Sequence, residues 1–177
     1  MIYPPREDSI LLEREVKKYA KGKSFLDLGA GSGIQAKVAK LAGAKSILCA
    51  DMNEEALKIL KKQGFNTRKS NLFSNIKERF DLIVFNPPYL PEDKREDKES
   101  ALATTGGKKG DEIIVKFLKD VKKHLNKNGI VLLVTSSLTP KEKILNILEK
   151  NSFKYRIISS QRFFFEILEV WEIKKSL

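Results

Sequence analysis

The tetrapeptide Asn86-Pro87-Pro88-Tyr89 carries the sharpest chemical signal in the sequence. It follows the apolar run Phe80-Asp81-Leu82-Ile83-Val84-Phe85, which reads as a buried central strand. Pro87 cannot donate to a β-ladder, so the strand must end there and present the tetrapeptide at its mouth. A planar NH2 group attached to a carbonyl or an aromatic ring has a delocalised lone pair and is a poor nucleophile. Two acceptors aimed at its N–H bonds, the side-chain oxygen of Asn86 and the main-chain carbonyl of Pro87, orient the nitrogen and favour localising that lone pair toward an electrophile. The prolines keep the acceptor pair rigid, and Tyr89 offers a ring face to a flat substrate group. On this reading Asn86, Pro87 and Tyr89 are catalytic, and neither a nucleophilic side chain nor a metal is needed. The bland alternative is a stiff turn.

A second constellation lies upstream. The strand Ser24-Phe25-Leu26-Asp27-Leu28 runs directly into Gly29-Ala30-Gly31-Ser32-Gly33 and then a helix. Residues without side chains let the backbone approach a ligand at a helix N-terminus. A dinucleotide fingerprint needs glycine at position 34, where Ile34 stands, which weakens an NAD or FAD reading. Asp51 ends the next strand, 22 positions after Gly29 (51 − 29), where a carboxylate can accept from both hydroxyls of a ribose. Asp27 argues against a phosphate and for a positively charged ligand. S-adenosylmethionine, with its ammonium and sulfonium groups, meets that requirement. Met52 and Asn71 fall where an adenine could be sandwiched and read.

The elements that must position these residues alternate between short apolar runs and helical patterns, the signature of an α/β fold with a mostly parallel sheet. A first helix is expected over about Ser9 to Tyr19, capped by Asp8 or Ser9, and another is opened by Thr139-Pro140-Lys141-Glu142 as a capping box. The closing strands are expected near Tyr155 to Ser159 and Phe163 to Ile173. The polar stretch from Pro91 to Gly110 is long for a structureless connection and reads as a mobile lid. With 177 residues the chain is expected to form a single domain over 1–177. One cysteine, Cys49, and one histidine, His124, exclude a disulfide framework and any Cys- or His-rich metal site. No stretch reaches the length of a membrane span and the N-terminus lacks a signal-peptide layout, so a cytoplasmic location is expected. The net charge of +11, from 34 basic and 23 acidic residues, suits an anionic partner such as RNA or equally an ordinary lysine-rich surface.

Taken together the motifs resemble the HemK/PrmC family of class I methyltransferases, which modify the side-chain nitrogen of a glutamine in translation release factors. The match is to its short archaeal and eukaryotic branch. It rests on Tyr3-Pro4-Pro5-Arg6-Glu7-Asp8-Ser9, Leu26 to Gly33, Asp51-Met52-Asn53, Ser70-Asn71-Leu72-Phe73, Asn86 to Tyr89 and Gly106-Gly107-Lys108-Lys109-Gly110. The resemblance implies a Rossmann-like fold with a seven-stranded sheet and helices on both faces. It implies that Asn86 and Pro87 hold the glutamine amide and that Tyr89 lines its pocket. Gly29, Ala30, Gly31 and Gly33 would pass under the methionine part of S-adenosylmethionine, Asp51 would hold its ribose, Asn71 would meet its adenine and Asp8 would close over it. Asn71 departs from the Asp often found there, although an amide oxygen still accepts from an adenine amino group. Bacterial members recognise the release factor through a helical N-terminal domain. With a first strand near Ser24, recognition here would come from the lid, the N-terminal segment or another chain. The branch also commonly works with a small zinc-binding activator subunit that covers an apolar sheet edge.

Two other readings stay open at this stage. Methylation of an exocyclic amino group of adenine or guanine in RNA or DNA would use the same acceptor pair, although the lid lacks the aromatic residues that flipped bases usually need. A non-catalytic subunit with this fold need not keep Asn86 and the glycine turn. Cys49 is read as core, His124 as a helix-end charge, and Phe163, Phe164, Phe165 and Trp171 as core or edge-strand packing.

Overall fold

The computed structural model describes residues 6–90 and 104–176. The chain runs α1 (Glu7–Tyr19), β1 (Ser24–Leu28), α2 (Ile34–Leu41), β2 (Ser46–Asp51), α3 (Glu54–Lys62), β3 (Asn66–Lys69) and β4 (Phe80–Phe85). It continues with α4 (Glu112–Asp120), a 3-10 turn over Val121–His124, β5 (Leu125–Ser136), α5 (Glu142–Lys150), β6 (Phe153–Arg162) and β7 (Ile167–Lys175). The strands form one seven-stranded sheet in the order β3-β2-β1-β4-β5-β7-β6, with β7 antiparallel to both of its neighbours. This is the Rossmann-like α/β architecture expected from the alternation of apolar runs and helical segments.

Alternation along the central strands sorts the core onto two faces. Leu26, Leu28, Ile83, Phe85, Val131 and Leu133 point to one face, where Ile114, Phe117 and Leu118 of α4 and Ile144 and Leu148 of α5 cover them. Phe25, Leu82, Val84, Leu132 and Val134 point to the other, under Leu11, Leu12 and Val16 of α1. Because β1, β4 and β5 are covered on both sides, they read as continuous apolar runs.

The order β3-β2-β1-β4 means that the chain builds outward from β1 and then returns to its other side. That reversal leaves a crevice beyond the carboxyl ends of β1 and β4. Register aligns the crevice walls: Leu28 pairs with Ala50 on one side and with Phe85 on the other. Gly29, Asp51 and Asn86 therefore emerge together at one end of the sheet.

Three boundary expectations are corrected. The first helix starts at Glu7 with Arg6 at its N-cap, and Asp8 lies inside its first turn, where Oδ1 accepts from Ser9 N–H at 2.6 Å and Oδ2 from Asn86 Nδ2. The last helix starts at Glu142; Thr139 donates instead to the Tyr89 carbonyl at 2.8 Å, and Lys141 donates to Thr135 Oγ1. The final hairpin turns at Phe163 to Glu166, so Phe164 and Phe165 are neither core nor strand packing; they are 93% and 82% exposed at its tip. Trp171 is buried as expected.

Candidate active site

The glycine turn is built by tying it to β2. Gly29 and Ala30 donate to the Ala50 carbonyl, and Gly31 N–H donates to Asp51 Oδ2 at 2.8 Å. Gly29 and Gly31 sit at φ +67° and +49°, a region that favours glycine. Asp51 Oδ1 accepts from Asn53 N–H at 2.8 Å. Both Asp51 oxygens are thereby fixed, and each retains lone-pair capacity toward the crevice. Asn53 in turn caps α3, accepting from Glu55 and Ala56 N–H.

The opposite wall is the Asn86 turn. Asn86 Nδ2 donates to Asp8 Oδ2 at 3.1 Å, and Tyr89 Oη donates to the same oxygen at 3.3 Å. A carboxylate only accepts, so Asp8 forces the Asn86 NH2 toward itself and sets the orientation of the amide. Asn86 Oδ1 is left buried with no hydrogen-bond partner. Such an atom carries a desolvation cost until something donates to it. The turn is braced from behind: Leu90 N–H donates to Thr104 O, Gly106 N–H donates to Leu90 O, and a Cβ at Gly106 would stand 2.6 Å from the Pro88 carbonyl. Residues 104–110 of the expected lid are thus packed against the turn. The rest of it, 91–103, lies outside the described residues.

A cavity of about 900 Å³ joins the two walls. Its lining includes Asp8, Asp27, Gly29, Ala30, Gly31, Asp51, Met52, Asn71, Asn86, Pro87 and Tyr89. One sequence-derived site residue stands apart: Gly33 is absent from the lining and packs behind the turn, where a Cβ would collide with Leu60 Cδ2. Its φ of +73° lets the chain enter α2 at that close approach. Met52 is largely exposed at the rim. Gln35, Lys116, Phe163 and Glu166 also line the cavity and carry no motif that would single them out. Gln35 Nε2 donates to the Ser9 carbonyl, and its Oε1 is a second buried acceptor with no partner.

The electrostatics are lopsided. Glu7, Asp8, Asp27, Asp51 and Glu166 face the cavity against Arg6 and Lys116. Burial pushes the Asp27 carboxyl up to about 8; Asp51 reinforces the rise, and the hydrogen bond from Ala36 N–H opposes it. A cation placed beside Asp27 would draw off its proton. Burial likewise raises the Cys49 thiol, which is core rather than reactive. His124 stacks on Phe73 at 4.4 Å, remote from this chemistry.

The residues fit S-adenosylmethionine on structural grounds. Partly buried Asp51 oxygens suit vicinal hydroxyls, an acidic lining suits a ligand whose ammonium and sulfonium outweigh its one carboxylate, and the volume is that of a small-molecule site. Comparison with known proteins points the same way. Residues 7–168 match the family described as methyltransferase small domain. A protein of Methanocaldococcus jannaschii, MJ0928, named as a candidate protein N5-glutamine methyltransferase, is 35% identical over 97% of this chain and 92% of its own. The human methyltransferase HEMK2 is 28% identical over 99% of this chain and 90% of its own. Among solved structures, the Encephalitozoon cuniculi Mtq2–Trm112 complex, described as responsible for methylating the eRF1 termination factor, superposes with a TM-score of 0.80 at 25% identity, covering 99% of both chains. On its sequence, its sheet order and these relatives, the chain belongs to the methyltransferase small domain family, in its HemK-like class.

Proposed function

We propose that the chain is an S-adenosylmethionine-dependent protein methyltransferase acting on the side-chain amide nitrogen of a glutamine in a translation release factor. One observation carries this reading: Asn86 Oδ1 is a buried, unpartnered acceptor locked in orientation by Asp8, in a residue that shares a cavity with the glycine turn. A primary amide presents two N–H donors, the complement of this oxygen together with the Pro87 carbonyl. S-adenosylmethionine supplies, when bound, a methyl group on a sulfonium sulfur that needs no further activation. Asp51 would accept from its ribose hydroxyls, Asp27 would balance its positive charge, and Gly29 to Gly31 would give it backbone clearance. Met52 and Asn71 would border its adenine.

Asn86 and Pro87 then orient the amide nitrogen, and Tyr89 limits how the flat group can tilt. What these residues would contribute is the alignment of that nitrogen with the methyl group the cofactor would supply, its sulfur leaving as a neutral thioether. The methylated nitrogen is strongly acidic until it sheds its proton to water, so no strong base is required of the protein. The acidic lining suits a protein acceptor better than a polynucleotide, whose phosphates it would repel.

A small activator subunit of the Trm112 type fits this reading. Of the two edge strands it could meet, β3 is Asn66-Thr67-Arg68-Lys69, with Arg68 paired to Glu78 at 2.6 Å, and β6 carries the exposed apolar side chains Tyr155 and Ile157. The deciding experiment offers labelled S-adenosylmethionine with purified release factor, tRNA, rRNA and duplex DNA side by side, with and without a candidate activator. Label confined to the release factor, mapped by mass spectrometry to a glutamine side chain, is the expected outcome. Label in nucleic acid alone would overturn the reading.

A further inference from the structure

We propose that the aromatic tip of the β6–β7 hairpin, Phe164 and Phe165, is the docking surface for the protein region that carries the acceptor glutamine, an inference that rests on the function proposed above. The hairpin closes with a two-residue loop: Phe163 N–H donates to the Glu166 carbonyl at 2.8 Å. Neither Phe164 nor Phe165 has a positive φ, so the loop backbone takes phenylalanine without strain, yet two rings held out in water add nothing to the core. The two rings touch only each other strongly, edge to face at 4.6 Å, and are otherwise held out in water. An exposed apolar group of this size marks an interaction surface.

The location identifies the partner. Phe163 and Glu166, which bracket the tip, both line the cavity that contains Asn86. A cavity of about 900 Å³ has room for a nucleoside-sized cofactor and one inserted side chain. Everything else of a protein acceptor must rest outside on the rim, and the tip stands on that rim. It is also rigidly mounted. Ser136 Oγ donates to Glu166 Oε2 at 2.5 Å, while Ser137 N–H donates to Ile167 O and Ile167 N–H to Ser137 Oγ. A preorganised aromatic pair anchors a partner with little ordering cost.

A protein fits this tip better than a nucleic acid. The rings are nearly perpendicular, at 85°, so they offer one face and one edge rather than a parallel platform for successive bases. Charge beside the tip is mixed, with Arg162 on one strand end and Glu166 on the other, so the tip offers no cluster of basic residues to a phosphate backbone.

The test compares two acceptors in the full chain: the intact release factor, and a short peptide holding the glutamine and its immediate neighbours. In Phe164→Ala/Phe165→Ala, KM for the release factor is expected to rise about tenfold or more. KM for the peptide, the cofactor dissociation constant and the melting temperature should stay at wild-type values, since both rings are exposed. Phe164→Leu/Phe165→Leu should recover part of the loss. An unchanged KM for the release factor overturns the docking assignment and leaves the glutamine reading standing. A matching rise in peptide KM or in cofactor dissociation also overturns it, because the tip would then belong to the cavity itself. A wild-type chain that labels nucleic acid and not the release factor contradicts both proposals.

Discussion

Asn86 owes its orientation to Asp8, a residue 78 positions earlier that delivers a carboxylate from the first turn of α1. The roles of the two could not be separated from sequence. The asparagine is visible as chemistry because prolines fix it at a strand end. The aspartate was visible only through resemblance, and Gln35 not at all, because a polar side chain on a helix announces nothing about which cavity it will face. Asp27 gives the residue scale its own prediction. Its carboxyl lies at about 8 in the folded chain against an ordinary value of 3.8, so between those values the native state keeps a proton that the unfolded state has lost. Stability of the free protein is therefore fullest below the lower value and declines as pH rises toward about 8. Melting curves of Asp27→Asn should show a flatter profile across that interval. Binding of S-adenosylmethionine to the wild type at pH 7 should release protons, measured by calorimetry in buffers of different ionisation heat, and the release should vanish in the variant. Retained release would remove Asp27 from the cation.

At the scale of elements, the sequence resolved the strands well where both faces are buried and poorly where a turn competes with a helix start. β1, β2 and β4 lie close to where their apolar runs lie. Thr139 looked like a capping residue, but the Tyr89 carbonyl claims its hydroxyl, a tertiary contact spanning 50 positions that no local pattern encodes. The same turn is braced by Gly106. Gly106→Ala should push a methyl group into the Pro88 carbonyl and displace the acceptor pair, lowering kcat by more than tenfold, on the order of a misplaced catalytic group. Cofactor affinity should hold, because the glycine turn stands on a different strand. Gly33 makes the contrasting case. Gly33→Ala meets Leu60 on a strained backbone and should lower the melting temperature, with a cost of roughly 1–3 kcal/mol. Adding Leu60→Ala removes the collision, so the double variant should be more stable than the sum of the single effects allows. Simple additivity in that cycle would show that Leu60 is not what Gly33 accommodates.

Across the whole molecule, charge is divided between surface and site. The chain carries +11 overall, yet the cavity's charged lining is dominated by carboxylates. Net charge alone left open an anionic partner or an ordinary lysine-rich surface; the distribution puts the positive charge on the exterior and suits a cation in the interior. Excess tRNA should therefore bind weakly and salt-dependently while leaving the cofactor dissociation constant unchanged, a result that equilibrium dialysis can check. Competition between tRNA and cofactor would contradict this division. Among the described residues no helix is long and apolar enough to cross a membrane. The aromatic hairpin tip escaped the sequence reading because three consecutive phenylalanines look like core until the turn is known. The sharpest measurement is on Asn86→Ala, comparing cofactor dissociation with the single-turnover rate of methyl transfer to a saturating glutamine acceptor. A rate lowered by about a hundred- to a thousandfold with cofactor affinity retained is predicted, as for loss of one preorganised polar group. A variant that transfers methyl at the wild-type rate, or fails only because it no longer binds cofactor, would contradict the assignment of that oxygen to the acceptor amide.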